Sequence, residues 1–197
     1  MTDRNADGNR GPRRPPARGG PGGRGTPPRG AAGGGPKKKG GLRLQRLDAR
    51  DFALDHPKCV HEMEPDFVEG LELRREGDFE AARDALRYAL QGCGDNMWVH
   101  VALGWIALED FKDPTLARGH FGYGFELARK AIPGDFAGRL PREHPANHPL
   151  YDAIDGLILC HEKLGQPDLV AELRALASRW LTGTSPSKSQ PQSQPQP

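Results

Sequence analysis

Aromatic and branched aliphatic side chains are missing from the first fifth of this 197-residue sequence. Residues 1–41 contain no Phe, Tyr, Trp, Ile, Leu, Val or Cys, and their apolar content is Met1 and four alanines. They hold instead 13 of the 26 glycines and 7 of the 19 prolines. So little apolar surface cannot offset the entropy of ordering a chain, so a disordered arm is expected. The Ser/Pro/Gln tail at 182–197 is expected to be disordered for the same reason.

Other absences narrow the function. No run approaches the roughly 18 apolar residues of a membrane span, and no apolar stretch follows the N-terminal charges as in a secretory signal. Cysteine is scarce. Cys59, Cys93 and Cys160 are odd in number and widely spaced, which speaks against a disulfide framework and leaves a cytoplasmic location as the expectation. No phosphate-binding glycine loop followed by Lys-Ser/Thr, no Gly-x-Ser-x-Gly and no His-Glu-x-x-His is present. No catalytic residue and no cofactor are therefore assigned, and the chain is read as a non-enzyme. His56, Cys59 and His61, then His144 and His148, and the adjacent Cys160 and His161 lack regular ligand spacing, so no metal site is assigned either.

Charge is unevenly shared. The arm carries ten Lys/Arg against two Asp, a balance of +8, whereas the remainder carries 18 against 24, a balance of −6. Flexible Arg/Gly chains bind phosphate backbones by releasing counterions, so Arg18, Arg24, Arg29, Lys37, Lys38 and Lys39 form a candidate nucleic-acid contact. The arm lacks aromatics to stack on bases, and its composition favours a solubilising tail over the nucleic-acid contact.

After Gly41 the pattern changes. Segment 42–62 mixes leucines with charges and is expected to be a capping segment, partly extended and partly helical. From 63 to 181 the helical period dominates. Segments 65–75, 79–91, 96–109, 115–131, 149–163 and 167–181 read as six helices, with an irregular, proline-rich insertion at 132–148. The segment 96–109 is apolar nearly all round, as a helix between neighbours would be. Gly119, Gly122 and Gly124 interrupt 115–131, and close backbone packing is the expected reason.

The stretch GLELRREGDFEAARDALRYAL resembles a tetratricopeptide repeat. Gly70 takes the place of that family's small residue in the first helix, Gly77-Asp78-Phe79 its turn, and Ala82, Leu86 and Ala89 its second-helix core. In the next unit Gly104 falls 34 residues after Gly70, the length of this repeat. Ala117, Phe121 and Gly124 match Ala82, Leu86 and Ala89 if one residue is inserted in the turn. A third unit, GLILCHEKLGQPDLVAELRALA, keeps the Leu-Gly turn.

The resemblance implies an all-α, right-handed solenoid of about three antiparallel helix hairpins. In that family the first helices line a concave groove. Phe67, Leu71, Arg74, Arg75, Trp98, Val101, Trp105 and Glu109 would stand there. Trp98 and Trp105 lie two turns apart on one helix face. They are either anchors for a partner or covered by residues 42–54 or the 132–148 loop. The lysine-and-asparagine set with which some members clamp a C-terminal carboxylate is missing.

The expected function is that of a protein–protein adaptor or assembly scaffold that grips an extended or helical peptide, with acidic groups near Arg74 and Arg75. The alternative is an RNA- or ribosome-associated protein using the arm. Three hairpins are near the minimum for a stable stack, so homodimerisation through an uncapped end is a further expectation.

Overall fold

The computed structural model describes residues 41–184, all within the unit Lys38–Pro197. The arm residues Arg18 to Lys39 and the tail beyond Thr184 lie outside the described residues.

The described chain is mostly helical, with one addition to the all-α expectation. A two-stranded antiparallel hairpin pairs β1 (Arg43–Arg46) with β2 (Phe52–Asp55), Leu44 opposite Leu54. Asp48 closes its turn by accepting from the Arg50 and Asp51 backbone N–H groups. Four residues per strand alternating with charges were too short to register as a sheet. The short α1 (Cys59–Glu62) follows. Six longer helices come next: α2 (Glu64–Glu76), α3 (Phe79–Gly92), α4 (Met97–Trp105), α5 (Pro114–Ala131), α6 (His148–Lys163) and α7 (Pro167–Thr182).

The turns within the three pairs share one chemistry. After α2, Gly77 is left-handed (φ 89°), its N–H donates to Arg74 O, and Asp78 N–H reaches back to Leu73 O. After α6, Gly165 (φ 68°) does the same, with Gln166 N–H donating to His161 O. These backward bonds satisfy carbonyls that a helix end leaves bare. In the first two pairs the next helix is then capped from its own start, Asp78 accepting from Ala81 N–H and Asp113 from Thr115 and Leu116 N–H, whereas Gln166 before α7 makes no such bond.

The middle pair departs by one residue. Asp113 N–H reaches back six positions to Ala107 O, where the other two turns reach five. The extra residue expected in the turn is absorbed instead by a π-turn, Ile106–Asp110, that continues α4. The left-handed position then falls on Lys112 (φ 57°), not on glycine.

Two hydrophobic clusters result. The smaller joins Ala82, Leu86 and Ala89 of α3 to Val99, Ala102, Leu103 and Ile106. The larger runs from Leu54 through α4, α5 and α6 to Trp180. Within them Gly70 faces Leu86 and Gly104 faces Phe121, where an added Cβ would lie 2.6 Å from each side chain. Gly156 of α6 presses on the other side of the same Phe121 ring. Of the three α5 glycines, only Gly124 has neighbours close by on both α4 and α6 (His100 and Ala153). Gly119 meets nothing within 4 Å, so close packing does not explain it.

The insertion 132–148 is ordered by what it touches. Asn147, fully buried at the end of the 3-10 turn Pro145–Asn147, accepts from Leu54 N–H and donates to Phe52 O and Pro141 O. Backbone bonds tie Phe52 and Arg50 to Arg139, and Leu140 to Trp180. Tyr151 donates to Leu140 O. Hairpin, insertion and the end of α7 thus meet over the larger cluster.

A disulfide joins Cys59 to Cys93, corrects the reading of the cysteines, and removes the support they gave to a cytoplasmic location. Wide spacing in sequence hid it, because the pairing depends on α2 and α3 folding back on each other. No helix among the described residues is long and apolar enough to cross a membrane.

Candidate partner-binding face

The first helices of the first two pairs, α2 and α4, are joined by a charged bridge. Arg74 lies between two carboxylates, its Nη2 2.6 Å from Glu109 and its Nε 2.7 Å from Asp110. Burial alone would lower the pKa of its guanidinium, but the bonds to Asp110 and Glu109 outweigh that and hold it above the usual arginine range. A partner's acidic group would have to displace both carboxylates, so Arg74 fixes the wall of this face and does not serve as a free acceptor of acid. Arg75, one position on, is exposed. The π-turn brings Glu109 and Asp110 jointly onto Arg74, and Asp110 was missed because a regular helix would turn neighbouring residues about 100° apart.

One turn before Arg74 stands Leu71, 40% exposed, with Val68 beside it at 44%. One turn before Glu109 stands Trp105, half-buried, its ring edge-on to Phe121 at 5.1 Å between centroids. Two turns further back Trp98 is also half-buried. Its ring is flanked by His56 at 6.1 Å and His148 at 6.5 Å, so the capping segment and the start of α6 cover one part of it. Phe67 packs at the edge of the smaller cluster, and Val101 is buried in the larger one. Val101 is held in the protein interior and presents little to a ligand, whereas Phe67 is partly covered, like the two tryptophans. Val68 was missed because α2 mixes apolar and acidic residues around its whole circumference, leaving no stripe to read.

His56 donates through Nε2 to Ala146 O at 2.8 Å, and burial pushes its pKa down. With the carbonyl as partner, Nε2 carries the proton, and the buried Nδ1 has no hydrogen-bond partner among the described residues.

A second histidine cluster lies between α4 and α5. His100 bonds Gly94 O through Nε2 and stacks 4.4 Å from Tyr123, with His120 6.0 Å away. Burial, then the neighbouring His100 and Arg87, depress the pKa of His120 to about 4.

The Cys–His pairs offer no ready thiolate. Cys59 is bonded to Cys93, and burial pushes the Cys160 thiol up to about 11 while His161 is engaged with Gln166. No three His, Cys, Asp or Glu side chains among the described residues are placed to hold a metal ion. No protein-family model, curated protein or solved structure matches this chain.

Proposed function

We propose that this protein is a non-catalytic adaptor built from three tetratricopeptide-like hairpins stacked as a right-handed solenoid, and that it holds an apolar segment of a partner protein against α2 and α4. The repeat reading draws support from Gly70 against Leu86 and Gly104 against Phe121, the same pairing of small and large residues with the glycines 34 positions apart and the large residues 35. The left-handed turns at Gly77, Lys112 and Gly165 add to it. The frame is not strict. The small residue stands seven, eight and nine positions before the left-handed one in the three pairs (Gly70, Gly104 and Gly156).

The observation that carries the binding reading is Trp105, partly buried but open at the surface, with Leu71 and Val68 exposed across the Arg74–Glu109 bridge. Large aromatics ringed by contacts that exclude water once a partner is seated are typical of interface hot spots. The partner segment is apolar, since Arg74 is already neutralised by two carboxylates. Trp98, partly covered by His56 and His148, contributes its free edge.

The test uses a randomised peptide library on full-length protein. Peptides selected by the wild type should bind Trp105→Ala/Leu71→Ala protein at least about tenfold more weakly, or about 1.4 kcal/mol. Binding should be unchanged by Arg18→Ala/Arg24→Ala/Arg29→Ala. Selected peptides that bind the double variant as tightly would place the contact elsewhere. Loss of binding with the arm variant would favour the arm as the contact.

A further inference from the structure

The disulfide separates two openings of unequal size. A cavity of about 470 Å3 is lined by Gly41, Arg43, Asp55, His56, Lys58, Cys59 and Glu62 among others, and touches Cys59 without touching Cys93. A smaller one of about 160 Å3 is lined by both cysteines. Cys93 itself is buried at 2% exposure, whereas Cys59 is only partly covered. Exchange requires a thiolate to attack one sulfur with the other leaving in line behind it. The larger cavity reaches Cys59 and not Cys93, so a thiolate entering by it attacks Cys59 with Cys93 as the leaving group.

Its walls also carry charges of both signs, Arg43 and Lys58 against Asp55 and Glu62. A volume of this size lies within the roughly 300–1,000 Å3 of small-molecule sites. We infer that Cys59 is a thiol-exchange site, and that its cavity accepts a small zwitterionic, amino-acid-type thiol.

The balance is simple. The incoming thiolate bonds to Cys59 Sγ, the Cys59–Cys93 bond breaks, and the electron pair departs on Cys93 Sγ, which takes a proton from solvent. A second thiolate attacks the outer sulfur of the mixed disulfide, releasing the small disulfide and leaving Cys59 as thiolate. Two small thiols are oxidised and one protein disulfide is reduced. The opened bond unties α1 from the end of α3, so the site reports the thiol state of its surroundings to the first helix pair.

Oxidised full-length protein is treated with free cysteine, 2-mercaptoethanol or cysteamine at equal thiolate concentration, quenched with acid and mapped by peptide mass spectrometry. The mixed disulfide should reside on Cys59 over Cys93 by roughly tenfold, following accessibility. Its rates, each divided by that of the same thiolate with a small reference disulfide to remove intrinsic nucleophilicity, should be about threefold higher with the zwitterion than with the neutral or cationic thiol. Lys58→Ala/Glu62→Ala protein should keep the position of the adduct and lose the preference. Equal labelling of Cys93, or equal normalised rates for the three thiols in the wild type, would overturn the inference. So would a wild-type protein whose Cys59 and Cys93 stay unlinked after exposure to cystine.

Discussion

The first helix pair and the α4–α7 body are built from similar local parts, yet they are anchored differently. In the first pair, α2 and α3 close on small residues and Leu86, and the pair meets the rest through the Val99–Ile106 side of α4. Its other ties are discrete ones, the Arg74 bridge and the Cys59–Cys93 bond. The body is closed by segments far apart in sequence. Asn147 bonds strand β2 across more than 90 residues, Leu140 bonds Trp180, and Phe121 is gripped by glycines of both α4 and α6. Matching turns and glycines therefore shape each pair, while long-range polar bonds decide which pairs are locked. A locked body beside a lightly tied pair gives a face with one firm wall, at Trp105, and one adjustable wall, at Leu71.

Removing the central side chain of each region should break the comparison most sharply. Phe121→Ala deletes a fully buried ring between three helices and should cost about 3–5 kcal/mol in urea unfolding, lowering the whole transition. Leu86→Ala, read the same way, should cost about 2–3 kcal/mol. The loss should be concentrated in the first pair, separating its unfolding from that of the body.

Acid should have a smaller effect, on the α4–α5 contact of the body where it lies beside Arg87 of α3. His120 has its pKa depressed to about 4 from the ordinary 6.5, with His100 also lowered by burial, and Arg87 of α3, Asp95 and Tyr123 nearby. The unfolded chain binds the proton first, so this stability is full above the ordinary histidine pKa and is lost as pH falls toward 4. Allowing for the part of His120 open to solvent, the loss should be about 1–2 kcal/mol. Equilibrium unfolding of the wild type and His120→Gln at pH 7 and pH 4.5 checks it, the variant being flatter with pH.

The smallest effect should have the opposite sign. Gly119 lies in the interior of α5 with open space around it, so Gly119→Ala should stabilise by about 0.5–1 kcal/mol. Gly104→Ala, driven into the Phe121 ring, should instead destabilise by about 1–3 kcal/mol. Thermal melts of the two variants distinguish glycines that the packing needs from one that it does not.

Much of the helical order was legible because helices are written locally. Apolar spacing and the turns at Gly77 and Gly165 place the six long helices within a residue or two of where they lie, α4 being counted with its π-turn. What escaped depends on distance in the chain. The hairpin strands are stabilised by Asn147 and Arg139, the disulfide by the closure of α2 on α3, and the π-turn by how Glu109 and Asp110 share Arg74. The face was legible in part. Period alone put Trp98 and Trp105 together, but it could not show that Val101 between them is buried, or that Arg74 already has two partners.

Native-state hydrogen exchange, followed amide by amide with the Cys59–Cys93 bond intact and reduced, tests the two-region account most directly. Amides of α2 and α3 should exchange through openings of lower free energy than those of α4 and α6. Reduction frees the loop spanning 34 positions and should lower the first set by about 3–4 kcal/mol, leaving α6 unchanged. Equal protection in both regions, falling together on reduction, would contradict it.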